Sequence, residues 1–179
     1  MTEQRVSYRY AKAIIETAES EKITDLLYND FLYVRNICNS SHELTTMVKS
    51  PVVHDRDKVK IFKELFENKI NSVTLNFLNF LIEKGRANYT LDIIVQYEEL
   101  YNKLNNKIKV DITTAVELDE EAKNNIVKKI AENTGQTILS KFIVSKDIDG
   151  GLLVKIHDWV YDATLKSQLK NLYNTLAQN

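Results

Sequence analysis

Few residues in this chain have the type and spacing that chemistry demands. The segment DIDGGLLVKIHD sets Gly150 beside Gly151 with Lys155 close behind, in a chain with only four glycines. Glycines ahead of a lysine suggest a phosphate cradle, in which backbone N–H groups converge at the start of a helix. The dinucleotide version needs three spaced glycines between strand and helix, and the P-loop ends in Gly-Lys-Ser/Thr. Neither pattern is present. Instead Leu152, Val154 and Ile156 alternate with Leu153, Lys155 and His157, which is strand spacing. Gly150 and Gly151 are therefore expected to be structural turn residues, supplying the positive φ of a tight hairpin between two strands. Asp147 and Asp149 fall in the same turn. Without further converging oxygens they read as solvated turn residues rather than metal ligands.

The remaining candidates are isolated. His42, His54 and His157 are scattered, and none belongs to a short metal-binding pattern. No serine occupies a nucleophile-elbow sequence. Cys38, the sole cysteine, has no nearby base in sequence and falls on the apolar side of a helical pattern, so a buried, inert thiol is expected. Trp159 lies between a strand and a helix cap, where packing in the core or at an edge is expected. Most of the nine tyrosines should pack at helix edges with wet hydroxyls, and such residues also suit protein interfaces. No catalytic residue, cofactor-binding residue or metal ligand is assigned.

The elements that would position these residues follow from periodicity. Val6, Tyr10, Ile14 and Ala18 recur every four residues, with Ala11 and Ile15 beside them, and predict a first amphipathic helix. Leu27, Phe31, Val34 and Cys38 predict a second. Ser40 with Glu43 looks like a capping box for a short third helix, which must end before Pro51. Val59, Phe62 and Phe66 mark a fourth. The run SVTLNFLNFLIEKGR is apolar nearly all round, predicting a central fifth helix that Gly85 closes. Ile94, Tyr97, Tyr101 and Leu104 give a longer sixth.

The period then changes to two. Ile108, Val110, Ile112, Thr114 and Val116 share one face of a predicted strand. A helix follows from Asp119 as N-cap, with Ala122, Ile126 and Ile130 on one face and Gly135 as its end. TILSKFIVS and LLVKIH predict two more strands. Asp162 caps a last helix striped by Leu165, Leu169, Leu172 and Leu176. The fold class is thus α+β: a six-helix bundle over residues 1–105, then a small βαββα domain over 106–179. No Pro/Gly/Ser linker separates them, so the sixth helix is expected to join the halves semi-rigidly.

Composition narrows the class. A chain of 179 residues, 44% hydrophobic and 27% charged, can bury a core and stay dissolved. A formal net charge of -1 argues against a nucleic-acid binder. One cysteine forms no internal disulfide, which fits a reducing compartment. No apolar run approaches the ~20 residues of a membrane span, so no direct membrane insertion is expected. The N-terminus lacks a signal-peptide core, and Glu3, Glu16, Glu19 and Glu21 weaken a transit-peptide reading.

Four segments, taken in order, resemble the delta subunit of F-type ATP synthases, the family that includes the mitochondrial oligomycin-sensitivity-conferring protein. RYAKAI matches its Arg/Lys-Tyr-Ala-x-Ala opening at Arg9, Tyr10, Ala11 and Ala13. FLNFLIEKGR matches an apolar helix ending in Gly85 and Arg86. ITTAVEL matches the strand opening the second domain. GGLLVKIHDWVYDATLKSQLKNL matches the closing Gly-Gly, strand, Asp, Asp-x-Ser/Thr and spaced leucines. Asp149 and His157 depart from the usual apolar residue and glycine, which puts loop shape rather than fold in question.

The resemblance implies a non-catalytic joint in the peripheral stalk, without a cofactor. The N-terminal domain would grip N-terminal helices of the alpha subunit. The C-terminal domain would hold C-terminal helices of the b-type stalk subunits, so that the head does not rotate. In the family, the first and fifth helices form the alpha-subunit groove. By position these run through Tyr10, Ala11 and Ile14 and through Phe77, Leu78 and Leu81. For any single one of these residues core is the plainer reading, since an amphipathic stripe is usually buried in its own domain. Leu165, Leu169, Leu172 and Leu176 carry the same ambiguity between the small sheet and the stalk helix. The implied location is peripheral, on the cytoplasmic face of a bacterial membrane or the equivalent organelle face, held by partner subunits. Without a transit segment, a bacterial or organelle-encoded protein is expected. Three rivals remain: a helical adaptor of another multisubunit complex, a small enzyme with an unrecognised site, and a membrane-binding protein.

Overall fold

The computed structural model describes residues 3–50, 52–156 and 158–177; Pro51 and His157 lie outside the described residues. The chain divides into two compact units, Met1–Asn102 and Lys103–Asn179.

Among the described residues the first unit is built from α1 (Glu3–Ser20), α2 (Thr24–Ser40), α3 (His42–Lys49), α4 (Asp55–Phe66), α5 (Ser72–Glu83) and α6 (Thr90–Leu104), the last preceded by a 3₁₀ turn at Ala87–Tyr89. Local chemistry sets the ends. The predicted capping box falls one residue late: Ser40 closes α2 with its hydroxyl on the Ile37 carbonyl at 2.9 Å, and Ser41 caps α3 by accepting the Leu44 N–H at 3.1 Å. Buried Lys58 donates to the carbonyls of Val48 (3.3 Å) and Ser50 (2.7 Å), placing a cation at the negative end of α3. Asn71 caps α5, and Asp30 on α2 accepts both the Asn71 N–H (2.8 Å) and the Thr74 hydroxyl (2.7 Å). Gly85, at φ 64°, closes α5: its N–H reaches the Ile82 carbonyl and the Arg86 N–H reaches the Leu81 carbonyl.

The stripes of α1, α2, α5 and α6 meet in one apolar core. Ala11 and Ala18 of α1 are fully enclosed. Phe31 packs edge-on to Tyr97, ring centres 4.7 Å apart, and to Phe77 at 6.0 Å. An Arg35–Glu98 ion pair and the stacked rings of Tyr28 and Tyr101 tie α2 to α6, and the Tyr101 hydroxyl donates to Asp25.

The second unit runs β1 (Lys107–Thr114), α7 (Glu120–Thr134), β2 (Thr137–Val144), β3 (Gly151–Ile156), β4 (Trp159–Thr164) and α8 (Leu165–Ala177). Its sheet has the order β2-β1-β3-β4, with β2 parallel to β1 and the other pairs antiparallel. Asp119 caps α7 by accepting the Ala122 N–H at 2.7 Å, and Gly135 ends it at φ 67°.

Three expectations are corrected here. The domain is βαβββα, not βαββα, because Trp159–Thr164 pairs with β3 as a fourth strand. Asp162 does not cap the last helix: it lies within β4, and Thr164 takes the capping position, accepting the Ser167 N–H at 3.3 Å. Gly150 and Gly151 do not turn a tight hairpin, because β1 lies between β2 and β3.

Val110, Ile112 and Val154 are the buried centre of the sheet face that carries Ile126 and Ile130 of α7. That core is small. Trp159, expected to pack, is 83% exposed.

Candidate functional site

The double glycine is a close-packing device. Gly151 opens β3 at φ 81°, and a Cβ there would sit 2.3 Å from the Ala163 carbonyl oxygen and 2.9 Å from the Thr164 Cα. The Gly150 carbonyl accepts the Leu165 N–H at 3.0 Å. So the glycines let the end of β4 and the start of α8 pass against β3. They lead into a strand rather than a helix, and Lys155 sits mid-strand opposite Asp111 and Val160. Asp147 is held within its own loop, accepting the Ser145 hydroxyl at 3.1 Å.

The other chemistry-bearing residues stay apart. Cys38 is buried, and burial pushes its thiol up to about 11, so it stays protonated at neutral pH. His42 opens α3, and His54 precedes α4 without a side-chain cap bond. Among the described residues no three His, Cys, Asp or Glu side chains gather where they could hold a metal ion.

What the first unit offers is a groove. A concavity of about 410 Å³ lies between α1 and α5, lined by Arg9, Tyr10, Ala13, Ile14, Thr17, Phe77 and Phe80. Tyr10 and Phe80 meet edge to face across it, ring centres 6.4 Å apart. The six positions chosen from sequence divide. Tyr10, Ile14 and Phe77 face the groove, whereas Ala11, Leu78 and Leu81 are sealed in the core at 0–1% exposure. Arg9, Ala13, Thr17 and Phe80 were missed. The signal for Phe80 was a second stripe on α5: Phe77 and Phe80 lie three apart, on a face distinct from Leu78, Leu81 and Ile82.

The second unit offers two apolar surfaces. Leu165, Leu169, Leu172 and Leu176 are 50–68% exposed, so this stripe does not pack on the small sheet. Its spacing of four, three and four is that of a coiled-coil seam. Asp162 steadies the first turn of α8, its carboxylate accepting the Ser167 hydroxyl (2.7 Å) and the Thr164 N–H (2.9 Å). Hydrogen bonds from Ser167 and Thr164 hold that carboxyl below its ordinary range. Beside α7, a cleft of about 510 Å³ opens over β3 and β4, with Ile126, Ile130, Leu152, Val154, Ile156 and Tyr161 among its walls. The sequence pattern placed Ile126 and Ile130 on one helix face and Leu152, Val154 and Ile156 on one strand face; that α7 leaves part of this face open was invisible to it.

Comparison with known proteins gives the surfaces a context. Residues 6–176 match the family model described as ATP synthase delta (OSCP) subunit. The chain is 32% identical over 178 residues to ATP synthase subunit delta of Chlorobium phaeobacteroides, covering 99% of each chain. It is 33% identical over 164 residues to its counterpart in Clostridium botulinum, covering 92% of each. Its fold is similar to a chain in the cryo-EM structure of the Toxoplasma gondii mitochondrial ATP synthase hexamer, with a TM-score of 0.75, 20% identity and coverage of 96% and 97%. With helices first, a mixed sheet after, and residues 6–176 inside the match, this chain belongs to the ATP synthase delta (OSCP) subunit family.

Proposed function

We propose that this chain is a non-catalytic joint of the peripheral stalk of an F-type ATP synthase. Its first unit takes an N-terminal helix of the alpha subunit, and its second takes C-terminal helices of the b-type stalk subunits. The linkage keeps the catalytic head from following the rotor. The observation that carries the reading is the α1/α5 groove, an apolar trough with a sealed floor that no side chain among the described residues fills. Helix-in-groove recognition needs such a surface: apolar anchors spaced at three and four residues on the incoming helix. The exposed leucine seam of α8 supports the stalk half of the reading. Among the described residues no helix is long and apolar enough to cross a membrane, which fits a subunit held at the membrane by its partners.

The test is calorimetric titration of the full chain with a synthetic N-terminal peptide of the alpha subunit from the same organism. One-to-one binding is expected, with loss of at least about tenfold in affinity for Phe80→Asp, which puts a charge where an apolar anchor must sit. Absence of binding by folded wild type overturns the alpha-subunit assignment.

A further inference from the structure

The groove between α1 and α5 has an apolar floor and a cation at each rim. On the α1 side the Arg9 guanidinium lies 5.9 Å from the Tyr10 ring centre. On the α5 side the Lys84 ammonium lies 5.6 Å from the Phe80 ring centre. Tyr10 and Phe80 meet edge to face, and each of the two rings carries a cation from its own side of the trough. Among the described residues no carboxylate lines the groove. Glu16, the acid nearest along α1, has its own partner in Lys12 at 3.8 Å. Neither Arg9 nor Lys84 makes an ion pair among the described residues, and both are exposed.

A helix of ordinary girth laid on this floor turns one flank toward each rim. Each cation, already drawn over a ring face, then stands beside the flank of the incoming helix. A neutral or basic flank would leave the rim charges without counter-charge, and a carboxylate would pair with them. Resting on the groove reading above, we infer that Arg9 and Lys84 are specificity-determining residues: they select an amphipathic partner helix with carboxylates on both flanks of its apolar stripe. The rings supply the grip and the cations supply register and orientation, the usual division between an apolar interface core and a charged rim.

The experiment uses the full chain and the alpha-subunit N-terminal peptide, with variants Arg9→Glu, Lys84→Glu and the double change. All should keep wild-type circular dichroism, because both side chains are exposed. Wild-type affinity should fall several-fold as salt rises from about 0.05 to about 0.5 M, since screening shortens the reach of rim charges. The double variant should bind at least about tenfold more weakly at low salt and lose that salt dependence. A peptide with its flanking acids changed to lysine should bind the double variant better than the wild type does. Equal affinity of wild type and double variant overturns the inference, as does a swapped peptide that fails to rescue, or a natural peptide without acids on both flanks. In each of those cases a Phe80-sensitive, one-to-one wild-type complex leaves the groove itself standing, so the two ideas fail separately.

Discussion

Gly151 and its neighbour show how one Cβ decides a position. At Gly151 an alanine would meet backbone, which cannot swing aside, and would also hold a positive φ of 81°. At Gly150 the conflict is with the tip of the Leu165 side chain, at 2.4 Å, and that side chain is half exposed and free to rotate. Gly151→Ala should therefore destabilise the second unit by about 2–4 kcal/mol, combining strain and clash. Gly150→Ala should cost less than about 1 kcal/mol. Urea unfolding of both variants checks the ordering, and equal losses would mean that the end of β4 can shift. Buried titratable groups give a second residue-scale expectation. Burial raises Cys38 from 9.0 to about 11. A hydrogen bond to Asp25, with burial, raises Tyr101 from 10.0 to about 12, and burial raises Tyr97 as well. In each case the folded state holds its proton more tightly than the unfolded chain. The stability they contribute is thus complete below about pH 9 and is lost as pH climbs through the folded values. Thermal melts from pH 8 to 12 should show the midpoint of the first unit falling from about pH 9 upward. A flat profile would refute the assignment.

On α5 two consecutive residues have opposite fates. Phe80 is 41% exposed in the groove, and Leu81 is wholly buried. Both belong to the apolar run that made this helix look central, and the twelve-residue helix has apolar stripes on two faces for that reason. One stripe builds the core and the other floors the groove. Phe80→Asp should keep the helical circular dichroism while weakening the alpha-peptide complex. Leu81→Asp should cost at least about 4 kcal/mol, because it buries an uncompensated charge. If both variants unfold, the two-stripe account of α5 is wrong. The same logic explains α8. Its stripe is as regular as that of α1, yet its leucines are exposed.

The two units differ in how much they bury. Among the described residues the first has twenty enclosed apolar side chains in one cluster, and the second has three. At roughly 1.5–3 kcal/mol for each large side chain buried, the first unit has far more to lose on opening. Native-state hydrogen exchange should therefore show the slowest amides in α2, α5 and α6, intermediate protection in β1 and β3, and the fastest exchange in α8. A b-type C-terminal peptide should slow exchange in α8 selectively. Protection of α8 in the free chain equal to that of α5 would contradict the exposed seam. A small, incompletely cored unit suits a protein whose partner helices complete it, since surface left open in the free state is surface a partner can bury.

Much of this molecule was legible in its residues alone. The change from a period of 3.6 to a period of two near Asn105 located the passage from helices to sheet, and Asp119, Gly85 and Gly135 announced helix ends through chemistry that acts within a few residues. Those signals are local, so they survive without knowledge of the fold. The fourth strand escaped because Asp162 also reads as a cap, and only pairing with β3 makes a strand of Trp159–Thr164. The hairpin expected at Gly150 failed for a related reason, since sequence order does not reveal that β1 lies between β2 and β3. Periodicity identifies a side chain that needs an apolar neighbour. Whether that neighbour belongs to the same chain depends on which faces the tertiary packing has already covered. That is why Leu81 and Leu169, alike in sequence pattern, end as core and as open seam.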